Sequence, residues 1–164
     1  MSEGGMPRGG SIILITFLLA MVLAIIPMPD WARYMRPEWA VLVLIYWCLA
    51  LPTRVNVLSG WTVGLCLDVL YGSLLGQHAM ALAIVAWAVT KMHQQIRVYP
   101  LWQQALVVFM FVALNQLMVV WVKGIIGQSP DSPWLYWLPS VTSAILWPWL
   151  FIMMRDVRRR FRVS

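Results

Sequence analysis

Charged residues are scarce in this chain of 164 residues. They make up 11% of the sequence and hydrophobic residues 62%, whereas soluble domains contain about 25% and about 45–50% respectively. This composition excludes an ordinary water-soluble domain and predicts an all-α, polytopic membrane helical bundle. Because most basic residues lie in short loops or at the C-terminus, the net charge of +6 does not indicate a nucleic-acid partner.

Sequence motifs typical of catalysis and metal binding are also missing. There is no glycine-rich phosphate loop and no HExxH, GxSxG or CxxC pattern. Cys48 and Cys66 both lie within apolar runs, which argues against a disulfide or a metal pair. His78 and His93 are expected at opposite membrane faces and are poor candidates for a shared metal site. We therefore expect no cofactor, no metal and no enzymatic activity.

What the sequence does contain is six apolar segments, at residues 12–26, 38–51, 57–79, 79–92, 105–122 and 138–154. They predict about six transmembrane helices in one domain, 1–164, with a flexible tail at 1–10 and a basic cytoplasmic tail at 155–164. The segments at 38–51 and 79–92 are short for a hydrocarbon core of roughly 30 Å at about 1.5 Å per residue. Whether these two cross completely is left open.

Basic residues divide unequally between the two faces that six crossings create. One face collects nine of them: Arg8, Arg54, Lys91, Arg97, Arg155, Arg158, Arg159, Arg160 and Arg162. The other face holds three: Arg33, Arg36 and Lys123. The positive-inside rule therefore predicts a multi-pass protein of the inner membrane with both termini in the cytoplasm. The five C-terminal arginines are expected to contact anionic phospholipid or a cytoplasmic protein.

The segment at 57–79 carries Asp68, the one acidic residue deep inside an apolar run. Read as a single helix, it aligns five residues at four-residue spacing along one slanted ridge: Gly60, Gly64, Asp68, Gly72 and Gly76. Helices in lipid associate through close backbone approach at glycine and through polar contacts, and a buried acid faces protein or water. The ridge is thus either a docking seam for a partner helix or internal packing.

Several polar residues are candidates for a network around Asp68. Arg36 is a possible counter-ion, and His78 a possible hydrogen-bond partner. Glu38 is expected near the same membrane face, although its place after Pro37 also fits the start of a helix. Asn115 and Gln116 are expected to form hydrogen bonds between helices.

The stretch from Arg36 to Ala83 resembles the MreD family of bacterial rod shape-determining proteins in its proteobacterial form. The matching features, in chain order, are Arg36-Pro37-Glu38-Trp39, Tyr46-Trp47, Pro52 with Arg54, Gly60, Gly64-Leu65, Asp68, Gly72, Leu75-Gly76 and His78-Ala79. Length, six-segment layout and basic tail agree as well. The family is itself similar to the membrane substrate-binding subunits of energy-coupling-factor vitamin transporters, which have six helices.

This resemblance implies a non-enzymatic inner-membrane component of the elongation machinery that regulates or scaffolds peptidoglycan synthesis. The implied partners are the bitopic protein MreC and, through it, the actin-like MreB, the glycosyltransferase RodA and a penicillin-binding transpeptidase. No catalytic residue comes with the resemblance. One alternative is a transport subunit that binds a small molecule or lipid. Another is an enzyme acting on a lipid-linked sugar, which would need converging acids where the sequence offers Asp68 alone.

Overall fold

A computed structural model of the protein describes residues 10–27, 29, 37–52, 55–72, 75–127 and 137–160. Within these ranges the chain forms six α-helices and no strand. The helices are α1 (Gly10–Ile25), α2 (Trp39–Ala50), α3 (Val57–Tyr71), α4 (Gln77–Val98), α5 (Leu101–Ile126) and α6 (Leu138–Arg160). The prediction of an all-α bundle with six helices is confirmed.

Helix length differs widely across the bundle. Among the described residues, α5 is the one helix that is long and apolar enough to cross a membrane by length and composition alone, whereas the apolar helices Ile12–Ile25, Trp39–Ala50 and Val57–Tyr71 are shorter. The fourth segment is short only in its apolar part, because the helix α4 has 22 residues and continues through the polar end of that segment to Val98. The second segment is indeed short, with 12 residues in α2.

The short helix α2 lies at the centre of the bundle. Every residue from Ala40 to Leu49 is buried, and α2 packs against α1, α4, α5 and α6. A helix that is apolar on all sides is stable when protein surrounds it on all sides. One polar contact supports this packing, since the Trp47 indole N–H donates to Thr16 Oγ1 of α1 at 2.9 Å. The shortness of α2 therefore accompanies a core position rather than contact with lipid.

The surface of the bundle is strongly apolar, and its mainly apolar interior also encloses several polar side chains. Large apolar side chains are exposed on the outer faces of the other helices, among them Leu58, Val69, Met110 and Ile145. The interior holds buried polar side chains: Asp68, Gln77, Gln104, Asn115, Gln116, Ser140 and Ser143. Hydrocarbon favours an apolar exterior, and polar groups then face other helices. This distribution is that of a membrane protein.

The helix α6 continues beyond the last apolar segment as far as Arg160. Much of the stretch that the sequence marks as a basic tail is thus helical, with Arg155, Arg158 and Arg159 on its last turns. Arg162 lies outside the described residues. Basic side chains at a helix C-terminus complement the partial negative charge of the helix dipole there.

Candidate functional site

The carboxylate of Asp68 joins the end of α3 to the beginning of α4. Asp68 is 1% exposed. Its Oδ2 accepts the backbone N–H of Gly76 at 2.8 Å and, more weakly, that of Ala79 at 3.4 Å. Its Oδ1 accepts the backbone N–H of His78 at 2.9 Å. Both carboxylate oxygens are therefore engaged by the first turn of α4.

This arrangement supplies α4 with an N-terminal cap from another helix. The first N–H groups of any helix lack acceptors within it, and a Ser, Thr, Asp or Asn side chain at the N-cap position usually provides one. In α4 the N-cap residue is Gly76, which has no side chain. Asp68 takes over that role, and its negative charge faces the positive end of the α4 dipole. The position thus stabilises a carboxylate inside the bundle.

The imidazole of His78 completes the contact with Asp68. His78 Nδ1 lies 2.7 Å from Asp68 Oδ1, within hydrogen-bond distance. The ring of Tyr71 packs against the imidazole with a centroid separation of 5.4 Å. The predicted pairing of Asp68 with His78 is present, and it includes a backbone as well as a side-chain contact.

Gly60 and Gly64 lie where α3 and α4 approach most closely. A Cβ atom added at Gly64 would lie 2.3 Å from Ala79 Cα and 2.5 Å from the carbonyl oxygen of His78. One added at Gly60 would lie 2.7 Å from the carbonyl oxygen of Leu82. Both distances are shorter than real Cβ contacts allow, so these two glycines pack the protein against itself. Their backbone approach brings the α4 terminus within reach of Asp68.

The single helix expected over 57–79 is wrong, and with it the continuous five-residue ridge. The helix α3 ends at Tyr71, and Gly72 follows in the left-handed conformation with φ +65°. Gly76 has φ +101° and precedes α4. Glycine adopts such angles more readily than other residues, so Gly72 and Gly76 suit the turn between the two helices. A Cβ at either one would meet no atom within 4 Å.

The other residues expected near Asp68 have different surroundings. Arg36 lies outside the described residues. Glu38 is the N-cap residue of α2, which agrees with a helix start, and its backbone N–H donates to Ser143 Oγ of α6 at 3.0 Å. Gln116 accepts a hydrogen bond from the hydroxyl of Ser140, as expected for a contact between helices. Asn115 Oδ1, in contrast, is buried without a hydrogen-bond partner among the described residues.

Sequence reasoning missed a second polar junction at the opposite end of the bundle. Arg97 Nε donates to the carbonyl oxygen of Leu49 at 2.6 Å, and Arg97 Nη2 donates to that of Ala50 at 2.8 Å. These carbonyls belong to the last turn of α2, where no further helical N–H can reach them. Next to this junction, Gln104 Nε2 donates to the carbonyl oxygens of Ile96 and Tyr99. No local sequence pattern predicts these contacts. The partners of Arg97 are distant in sequence, and the acceptors of Gln104 are backbone carbonyls of the kind found at any helix end.

Hydrogen bonds within the protein occupy both oxygens of the Asp68 carboxylate. These oxygens accept backbone N–H groups, so deprotonating a substrate would require α4 to release them. Within the described residues, no three His, Cys, Asp or Glu side chains are grouped so as to hold a metal ion. The site can therefore fix the angle and register of two helices.

Comparison with known proteins gives a consistent result over almost the whole chain. A family model described as rod shape-determining protein MreD matches residues 9–157. The chain is 35% identical over 154 residues to the rod shape-determining protein MreD of Haemophilus influenzae, which covers 92% of this chain and 93% of that protein. No solved structure matches the chain.

Proposed function

The chain belongs to the MreD family of rod shape-determining proteins, and from this premise we propose that it is a non-enzymatic inner-membrane scaffold of the cell-elongation machinery. In this proposal it contacts MreC directly and, through MreC, connects with MreB, RodA and a penicillin-binding transpeptidase. The family match over residues 9–157 is the observation that carries the proposal. In a strain whose chromosomal gene is replaced by a depletable copy, depletion of the protein should convert rods into round cells. Cells that stay rod-shaped after depletion would contradict the proposal.

The hydrogen bonds of Asp68 support the non-enzymatic part of the proposal. A general base or nucleophile needs a lone pair directed at the substrate, whereas the Asp68 oxygens face the N–H groups of α4. The purified protein without partners should not polymerise a lipid-linked peptidoglycan precursor. Turnover above background that disappears in Asp68→Asn would overturn this part.

We further propose that both termini lie in the cytoplasm. Arg97 of α4 and Arg158 of α6 line one cavity at the same end of the bundle, which agrees with their assignment to one membrane face. Reporter fusions after residue 128 and after Ser164 should report opposite sides of the membrane. Signals from the same side would contradict six crossings.

The turn between α3 and α4 is our candidate for the contact with MreC. It lies at the end of the bundle opposite the arginines, where Leu75 of the turn is 67% exposed and Val69, in the last turn of α3, is 71% exposed. Because Gly60 and Gly64 face α4 inside the bundle, a partner helix cannot pack against these two glycines. Exposed apolar side chains beside the turn remain available for van der Waals packing, which drives helix association in lipid.

Copurification with MreC tests this surface. Leu75→Ser should lower recovery of MreC by roughly fivefold, equivalent to about 1 kcal/mol of lost contact. Leu58→Ser is the matched control, since Leu58 is similarly exposed, at 71%, at the other end of α3. Equal recovery with both variants at matched membrane levels would exclude the turn as the contact. If the depleted strain keeps its normal cell shape and the protein still binds MreC, the elongation role is contradicted and the contact with MreC is not.

A further inference from the structure

A cavity opens at the end of the bundle that carries Arg97. Its volume is about 270 Å³, and four helices contribute to its lining. The polar lining comes from Arg97, Gln104 and Arg158, and the rings of Tyr46 and Phe151 pack edge to face beside them at 5.7 Å. The lining thus combines two cationic groups with an apolar wall.

The two arginines carry positive charge without a carboxylate partner. Neither forms a salt bridge within the described ranges of the chain. The guanidinium of Arg97 is held in place through Nε and Nη2 by the carbonyl oxygens of Leu49 and Ala50. Its Nη1 makes no hydrogen bond within those ranges, and neither does the guanidinium of Arg158. A cavity lined by these two cationic side chains therefore favours an anion.

The residues beside the cavity are of the kinds that favour the membrane interface. Tyr99 is the C-cap residue of α4, the helix that carries Arg97, and Trp102 lies in the first turn of α5 and is 67% exposed. Tyrosine and tryptophan are enriched where hydrocarbon meets the headgroups. A guanidinium group can donate two hydrogen bonds to the oxygens of one phosphate, so arginine is the preferred side chain for binding phosphate in this geometry.

We propose that this cavity binds a phosphate group, with Arg97 and Arg158 as its ligands and an anionic phospholipid headgroup as its source. The cytoplasmic leaflet carries such lipids, and the aromatic wall at Tyr46 and Phe151 allows the glycerol region to pack beside the rings. Binding of this kind ties α2, α4 and α6 together through one lipid. It is distinct from the Asp68 junction, which lies at the other end of α4.

Titration of short-chain phosphatidylglycerol into the purified full-length protein, followed by native mass spectrometry, tests the site. Arg158→Gln should weaken binding by about tenfold, the effect of one charged hydrogen bond. Arg160→Gln is the matched control, because Arg160 is exposed on the same helix and does not line the cavity; it should change binding by at most about twofold. Ala50→Leu should also weaken binding, since it fills the cavity and keeps both arginines.

Two comparison ligands separate the sources of the phosphate. Diacylglycerol of the same chain length lacks the phosphate and should not bind. If inorganic phosphate binds in an Arg158-dependent manner and phosphatidylglycerol does not bind, the cavity is a phosphate site whose ligand is soluble. Equal effects of Arg158→Gln and Arg160→Gln would overturn the proposal, as would diacylglycerol binding as tightly as phosphatidylglycerol. If Arg158→Gln does not fold, unchanged binding in Ala50→Leu overturns it.

Discussion

The two ends of the bundle use one electrostatic rule with opposite signs. At one end the Asp68 carboxylate accepts N–H groups from the beginning of α4. At the other end the Arg97 guanidinium donates to carbonyl oxygens at the end of α2. A helix carries partial positive charge at its N-terminus and partial negative charge at its C-terminus, so each side chain matches the terminus it meets. In both cases one helix fixes the end of another.

Burial distinguishes the two junctions. Asp68 is almost completely enclosed, whereas the Arg97 side chain is exposed. When a buried hydrogen-bond partner is removed, the remaining groups stay unsatisfied, but groups that water can reach recover much of the loss. The Asp68 end should therefore tolerate substitution far less than the Arg97 end.

Replacing Asp68 by alanine removes the cap and should destabilise the protein most, by about 4 kcal/mol, because a buried charge network loses its acceptor. Asp68→Asn keeps one acceptor oxygen and should cost about half as much. The thermal-unfolding midpoint of each purified variant in detergent measures the effect. Equal midpoints for Asp68→Ala and wild type would show that the first turn of α4 does not depend on this carboxylate.

Gly64→Ala should disrupt the same end by steric means. Its Cβ would meet backbone atoms of Ala79 and His78, which cannot move like a flexible side chain. Overpacking of this kind costs about 3 kcal/mol. Gly124→Ala is the control, since Gly124 lies within α5 and has no atom within 4 Å of an added Cβ; it should stabilise by about 0.5–1 kcal/mol. Similar unfolding midpoints for the two variants would contradict the close approach of α3 and α4.

Arg97→Gln tests the exposed end. The two carbonyl oxygens at the end of α2 lose a charged donor but stay near water, so the expected cost is about 1 kcal/mol. Arg159→Gln, an exposed position at the end of α6, is the reference for loss of a positive charge alone. A loss with Arg97→Gln as large as with Asp68→Ala would show that burial does not separate the two junctions.

Gly72 provides the smallest and most specific test at the Asp68 end. With φ +65° and open space around it, Gly72→Ala should cost about 1 kcal/mol through backbone strain, and Gly72→Leu should cost the same. Gly72→Asn should be milder, because asparagine accepts the left-handed conformation. Unfolding midpoints again report the effect. An unfolding midpoint much lower for Gly72→Leu than for Gly72→Ala would instead show that Gly72 packs closely against another helix.

The sequence predicts much of this architecture and errs at identifiable places. Apolar runs locate the six helices, and isolation within such a run singles out Asp68. Four-residue spacing correctly predicts helix packing at Gly60 and Gly64, yet the same spacing at Gly72 and Gly76 belongs to a turn. Periodicity cannot separate these cases, because glycine serves close packing and positive φ equally well. The pairing of Arg97 with Ala50 joins positions 47 residues apart, and no local pattern encodes such a distance.

Hydrogen–deuterium exchange at the beginning of α4 tests most directly the claim that Asp68 caps this helix. The backbone N–H groups of Gly76, His78 and Ala79 have Asp68 as their acceptor and should be protected in the wild-type protein. In Asp68→Ala we expect faster exchange confined to peptides covering 76–79, with exchange in peptides at the Arg97 end unchanged. Unchanged protection at 76–79 in that variant would contradict it.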